Sequence, residues 1–82
     1  MFTYATKGVC SKEITFDIVN NVIKNVKFTG GCSGNLQGIG KLVEGMNALE
    51  AIKRLRGIEC GEKGTSCPDQ LSRAIEKCLN EK

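Results

Sequence analysis

Residues 13–28 read EITFDIVNNVIKNVKF, and this stretch decides the fold. Its first half alternates, with Ile14, Phe16 and Ile18 on one side of an extended chain and Glu13, Thr15 and Asp17 on the other. Asn20-Asn21 then supplies two adjacent residues that tolerate positive φ, as a tight hairpin turn requires. The returning run from Val22 to Phe28 sets Val22, Val26 and Phe28 on one face, with Lys24 as an exception and Ile23 on the opposite face. A bulge or a covered second face would reconcile Ile23 with burial. Upstream, residues 2–6 form a shorter strand.

After Gly30-Gly31 the period changes. Leu36, Ile39, Val43 and Met46 recur at helical spacing, which predicts a helix over residues 35–45 packed on the sheet. Gly38 and Gly40 inside it each cost about 1 kcal/mol against alanine and suit a close backbone or ligand. Asn47 with Glu50 resembles a capping box, and Leu49, Ile52 and Leu55 form the buried stripe of a second helix ending at Gly57. Pro68 suits the first position of a third helix, with Asp69 in its first turn and Leu71, Ala74, Ile75, Cys78 and Leu79 as its apolar stripe. The fold class is α+β, a small antiparallel sheet of about three strands followed by three helices that cover one face. Residues 1–82 read as a single domain without repeats or linker.

A core of this size leaves only ~3–5 kcal/mol of net stability, so a metal or disulfide staple is expected. The N-terminal MFTYATKGVC has no apolar export segment, and the five cysteines are an odd number. Both features favour reduced thiols and a cytoplasmic location. No apolar run approaches the ~20 residues of a membrane span. The net charge is a mild +3, and the densest basic cluster, Lys53, Arg54 and Arg56, is bracketed by Glu50 and Glu59. With Phe2, Tyr4, Phe16 and Phe28 as the aromatic residues, no stacking platform is evident, so nucleic acid is not an expected partner.

Four cysteines sit at joints between elements. Cys10 lies between the first two strands, Cys32 between hairpin and first helix, Cys60 in the link after the second helix, and Cys67 at the start of the third. A helix N-terminus such as that at Cys67 favours negative charge. Cys78 lies on the same helix as Cys67, about 16 Å further along it and in the apolar stripe, and reads as core. There is no C-x-x-C pair and no histidine, so no standard zinc-finger pattern is present. Spacing alone leaves three options for the joint cysteines: a shared metal, buried free thiols or two disulfides. An all-thiolate set would suit zinc, with Zn–S near ~2.3 Å, or an iron–sulfur cluster. The absence of histidine also removes the usual general base, which disfavours a stand-alone hydrolase or transferase.

Residues 30–41, GGCSGNLQGIGK, run from a loop into a helix. Amides around Gly31, Ser33, Gly34 and Asn35 could hold the anionic part of a nucleotide or flavin-like cofactor. The segment is neither a Walker A motif nor a dinucleotide fingerprint, and close packing around Cys32 explains its glycines equally well.

Thr65–Asp69 spells TSCPD, joined by Gly31-Cys32 before a helix and by Cys10 and Cys60, and the whole chain resembles the small four-cysteine type of the TSCPD-domain family. The resemblance favours one metal site of Cys10, Cys32, Cys60 and Cys67, with zinc preferred over an iron–sulfur cluster. Related domains occur at the C-terminus of some ribonucleotide reductases, which implies a larger enzyme of that kind as partner. The chain itself has no room for the catalytic barrel or radical machinery, so the implied role is accessory, either structural or thiol-redox with Cys60 and Cys67 cycling. More distantly, the order of cysteines and the run Lys27-Phe28-Thr29-Gly30-Gly31-Cys32 resemble the NifU-like iron–sulfur scaffold proteins. That likeness implies Cys10, Cys32 and Cys67 as ligands. The scaffold family has an aspartate ligand after its first cysteine, where this chain has Ser11 and Lys12, and Cys60 would take the vacant fourth position.

Overall fold

In a computed structural model describing residues 1–31 and 33–81, strands β1 (Phe2–Ala5), β2 (Ser11–Val19) and β3 (Val22–Gly30) precede helices α1 (Ser33–Val43), α2 (Ala48–Leu55) and α3 (Cys67–Asn80). The sheet is antiparallel in the order β1-β2-β3. The α+β class, the three strands and the three helices are as the sequence predicts. So is the hairpin: Asn20 and Asn21 have φ of 52° and 64°, and Val19 pairs with Val22 across the turn.

Two bulges decide which residues face the helices. In β3, Lys27 pairs with Thr15 and Lys24 with Asp17, so Asn25 and Val26 together oppose Phe16. Asn25 takes φ of 57°, and its N–H donates to Glu44 Oε1 at 2.8 Å. The extra residue brings Ile23, fully buried, onto the same face as Val26 and Phe28. The bulge considered for Ile23 is therefore present, and Val22, expected inward, stays outside the core cluster. In β2, Ser11 pairs with Gly30 and Glu13 with Thr29, leaving Lys12 as the extra residue. Strict alternation would have pointed Lys12 inward with Ile14 and Phe16; the bulge exposes Lys12 and buries Ser11 to 3%. Thr6 pins this kink, its N–H donating to Lys12 O at 3.1 Å and its hydroxyl to Ser11 O.

The core joins Ile14, Phe16 and Ile23 of the sheet to Val43, Ala48, Ala51, Ile52, Leu71, Ala74, Ile75 and Cys78. Phe2 packs on Phe16, its partner in register, with ring centroids 5.4 Å apart. Helix α1 runs back along β3, and α3 lies on β2 with α2 against it. A Cβ on Gly40 would meet Val26 O at 3.1 Å, so this glycine is the close approach expected inside α1, whereas Gly38 faces open space. Helix α1 starts and ends two residues earlier than predicted. Gly45, with φ of 80°, turns the chain after Val43, and Met46 reaches the core from the following loop. Asn47 caps α2, its side chain accepting from the N–H groups of Leu49 and Glu50. Leu49 does not join the buried stripe and is 67% exposed; Ala48 and Ala51 do that work beside Ile52. The stripe of α3 is as predicted.

Candidate functional site

The sheet's antiparallel order brings the β1–β2 loop, the end of β3 and the start of α1 to one end, and α3 begins beside them. The start of α3 is the most tightly organised part of this end. Ser66 is the N-cap, with extended backbone; its hydroxyl accepts from Asp69 N at 3.1 Å and donates to Ile58 O at 2.6 Å. Asp69, 3% exposed, accepts from Gly57 N at 2.8 Å, from the Thr65 hydroxyl at 2.6 Å and from Arg73 Nε at 3.0 Å. Burial works to raise its pKa, but the Thr65 and Gly57 donors and the Arg73 guanidinium outweigh it and hold the carboxyl below its ordinary value. Gln70 donates to Thr65 Oγ1 at 3.0 Å and accepts from Lys7 N at 3.1 Å. These bonds tie both the α2–α3 link and the β1–β2 loop to the first turn of α3.

The cysteines ride on this frame. Cys67 is half-buried in the first turn of α3, with its Sγ 3.3 Å from Ser11 Oγ. Cys10, exposed, precedes Ser11 directly. Gly31 has φ of 80°, and a Cβ there would come within 3.1 Å of Ser11 N and 3.4 Å of the Cys10 carbonyl carbon. Gly31, the residue before Cys32, is thus pressed on the backbone of Cys10 and Ser11. Cys32 itself lies outside the described residues. Cys60 sits on an exposed loop whose ends are fixed, its N–H donating to Thr65 O at 3.0 Å and its carbonyl accepting from Lys63 N at 3.2 Å. Among the described residues the thiols are free, and no group of three or more Cys, Asp or Glu side chains is close enough to hold a metal ion. The donor chemistry fits a thiophilic metal, and Cys10 and Cys60 are exposed while Cys67 is half-buried. Cys78 is 7% exposed within the core cluster, away from this end.

The glycine-rich segment divides. Gly31 and Ser33 line a cleft of about 460 Å³ between β3 and α1, together with Lys27, Phe28, Leu36 and Gln37. Gly34 and Asn35 are exposed on the first turn of α1 and do not line it, and a Cβ on Gly34 would meet nothing. Ser33 Oγ accepts from Gln37 Nε2 at 3.0 Å.

Sequence reasoning missed Ser11 and the network of Thr65, Ser66, Asp69 and Gln70. The serine–aspartate spacing of three before an apolar stripe is the signal that could have marked the cap. Nothing in simple alternation reveals Ser11, because a bulge turns it inward. No helix is long and apolar enough to cross a membrane. No curated protein and no solved structure matches the chain, and the likeness to NifU-like scaffolds is not shown. The family model described as the TSCPD domain matches residues 2–79, which spans the whole sheet and nearly all of α3, and the chain belongs to that family.

Proposed function

We propose that this chain is a small metal-binding accessory module in which Cys10, Cys32, Cys60 and Cys67 hold one ion, zinc in preference to an iron–sulfur cluster. The observation that carries the reading is the junction of three segments. Cys67 faces Ser11, and the backbone at Cys10 and Ser11 packs against Gly31, which precedes Cys32. The chemistry of the donors agrees, since a histidine-free set of thiols matches thiophilic metals. Gly61 and Gly64, with φ of 60° and 74°, let the Cys60 loop turn sharply above the α3 frame. Four thiolates would close the coordination sphere, which suits a structural role over catalysis. Such an ion would order the exposed loops into a docking surface for a larger enzyme, such as a ribonucleotide reductase. The cytoplasm, where thiols stay reduced, is the matching compartment.

The test is metal content and thermal stability for serine at each of the four cysteines and for Cys78→Ala. Each serine variant should lose metal and stability together, because binding energy is folding energy in a small metal domain. Cys78→Ala should keep its metal and lose about 1 kcal/mol from the small cavity. Metal loss in Cys78→Ala equal to that in the other four would overturn the assignment.

The cleft beside Gly31 and Ser33 favours a second reading, a nucleotide or flavin held at the start of α1. Calorimetric titration with both ligand classes separates the two readings, because a metal module with an empty cleft gives no heat at millimolar ligand. A thiol-redox role for Cys60 and Cys67 would instead require the pair to be free of metal.

A further inference from the structure

Ser11 is a buried hydroxyl that is not among the proposed metal ligands. It is 3% exposed, placed inward by the bulge at Lys12, and its Oγ lies 3.3 Å from Cys67 Sγ. The kink that holds it is separately anchored by the two bonds from Thr6. A strand residue at this point would ordinarily put Lys12 inward, so the bulge exchanges a long charged side chain for a short hydroxyl facing the sulfur.

We infer that Ser11 is a positioning residue for the metal centre, its hydroxyl donating a hydrogen bond to the Cys67 thiolate when the ion is bound. This rests on the four-cysteine reading above. A metal-bound thiolate carries no proton, so the serine must be the donor in that pair. Four thiolates on a divalent ion leave two net negative charges, and a half-buried sulfur gains from a donor that disperses part of that charge. The same hydrogen bond fixes the sulfur's direction before the ion arrives. Lys12, exposed, could not do this from the outer side of the sheet.

Cobalt(II) is the probe, added to anaerobic, reduced protein and followed by absorption. Ser11→Ala should shift the sulfur-to-cobalt charge-transfer band to lower energy, because the sulfur becomes a stronger donor without its hydrogen bond. It should also weaken cobalt affinity roughly ten-fold, the lower end for loss of an outer partner of a metal ligand. Thr6→Val, which removes the hydroxyl bond to Ser11 O but keeps the backbone bond from Thr6 N to Lys12 O that holds the kink, should lower stability and leave the band where it is. A cobalt-loaded Ser11→Ala protein with an unshifted band would overturn the inference while leaving the four-cysteine site standing. Absence of thiolate–cobalt bands in the wild type would overturn the metal reading, and this inference with it.

Discussion

Asp69→Asn isolates the frame beneath the cysteines. The wild-type carboxylate accepts from Gly57 N, Thr65 Oγ1 and Arg73 Nε while only 3% exposed. Asparagine keeps one acceptor oxygen and turns the other into an amide group that faces donors. A hydrogen bond to a charged group contributes about 1.5–3 kcal/mol. The Arg73 side chain is 55% exposed, and solvent reduces its share to about 0–1 kcal/mol. One such bond lost and another weakened put the cost at roughly 2–4 kcal/mol. That is most of the ~3–5 kcal/mol that a core of this size supplies without a staple. With a urea slope near ~1 kcal/mol/M, the midpoint followed by far-ultraviolet circular dichroism should fall by about 2–4 M at matched metal loading. The pH dependence carries a sign. Asp69 is held below its ordinary 3.8 in the folded chain, so its contribution is fully present above 3.8 and is lost as pH falls through the lower folded value. The gap between wild type and variant should therefore stay constant from neutral pH down to about 5 and close only in stronger acid. Asp17, also held low by Asn25 and the N-terminus, is common to both proteins and drops out of the difference. A gap below ~0.5 kcal/mol, within the range of ordinary surface substitutions, would refute the reasoning. So would a gap that closes between pH 7 and 5.

Gly31→Ala meets both a positive φ and contacts of 2.9 Å to Leu36 Cδ1 and 3.1 Å to Ser11 N, so thermal denaturation should show a loss of about 2–4 kcal/mol. Gly34→Ala, in open space on α1, should instead gain about 1 kcal/mol in the same assay; a loss there would show that the first turn of α1 does something the fold does not require. Ser66→Ala removes a buried cap and strands Ile58 O, costing roughly 2–3 kcal/mol by urea denaturation, against about 1 kcal/mol for Asn47→Ala at the exposed cap of α2. Equal losses in that pair would mean that the Ser66 bond to Ile58 contributes nothing.

The elements with an unbroken period were legible. The hairpin announced itself through Ile14, Phe16 and the two asparagines, and α3 through Pro68 and the stripe from Leu71 to Cys78. The bulges were not, because each interrupts the alternation on which the reading depends. That is why Ile23 looked misplaced and Ser11 went unnoticed. Leu49 was misread for a related reason: two alanines, Ala48 and Ala51, fill the narrow space against α3, and the larger side chain falls beside it. The five residues Thr65–Asp69 identified the family as a string, yet their physical roles emerged only from three-dimensional partners. Thr65 and Asp69 fasten the link carrying Cys60, Ser66 starts the helix, and Cys67 turns to Ser11. The candidate ligands were readable from their places at joints. What the sequence did not reveal is that Gly31, with its positive φ, packs on the backbone of Cys10 and Ser11.

The central claim is that the four joint cysteines hold one metal, and the most direct measurement is elemental analysis of anaerobically purified, reduced protein alongside its absorption spectrum and a count of reactive thiols. The account predicts about one zinc per chain, no visible absorption, and one thiol, Cys78, left outside the site. Metal-free protein from a metal-replete preparation, with Cys60 and Cys67 forming a reversible disulfide near a cytosolic potential, would contradict it.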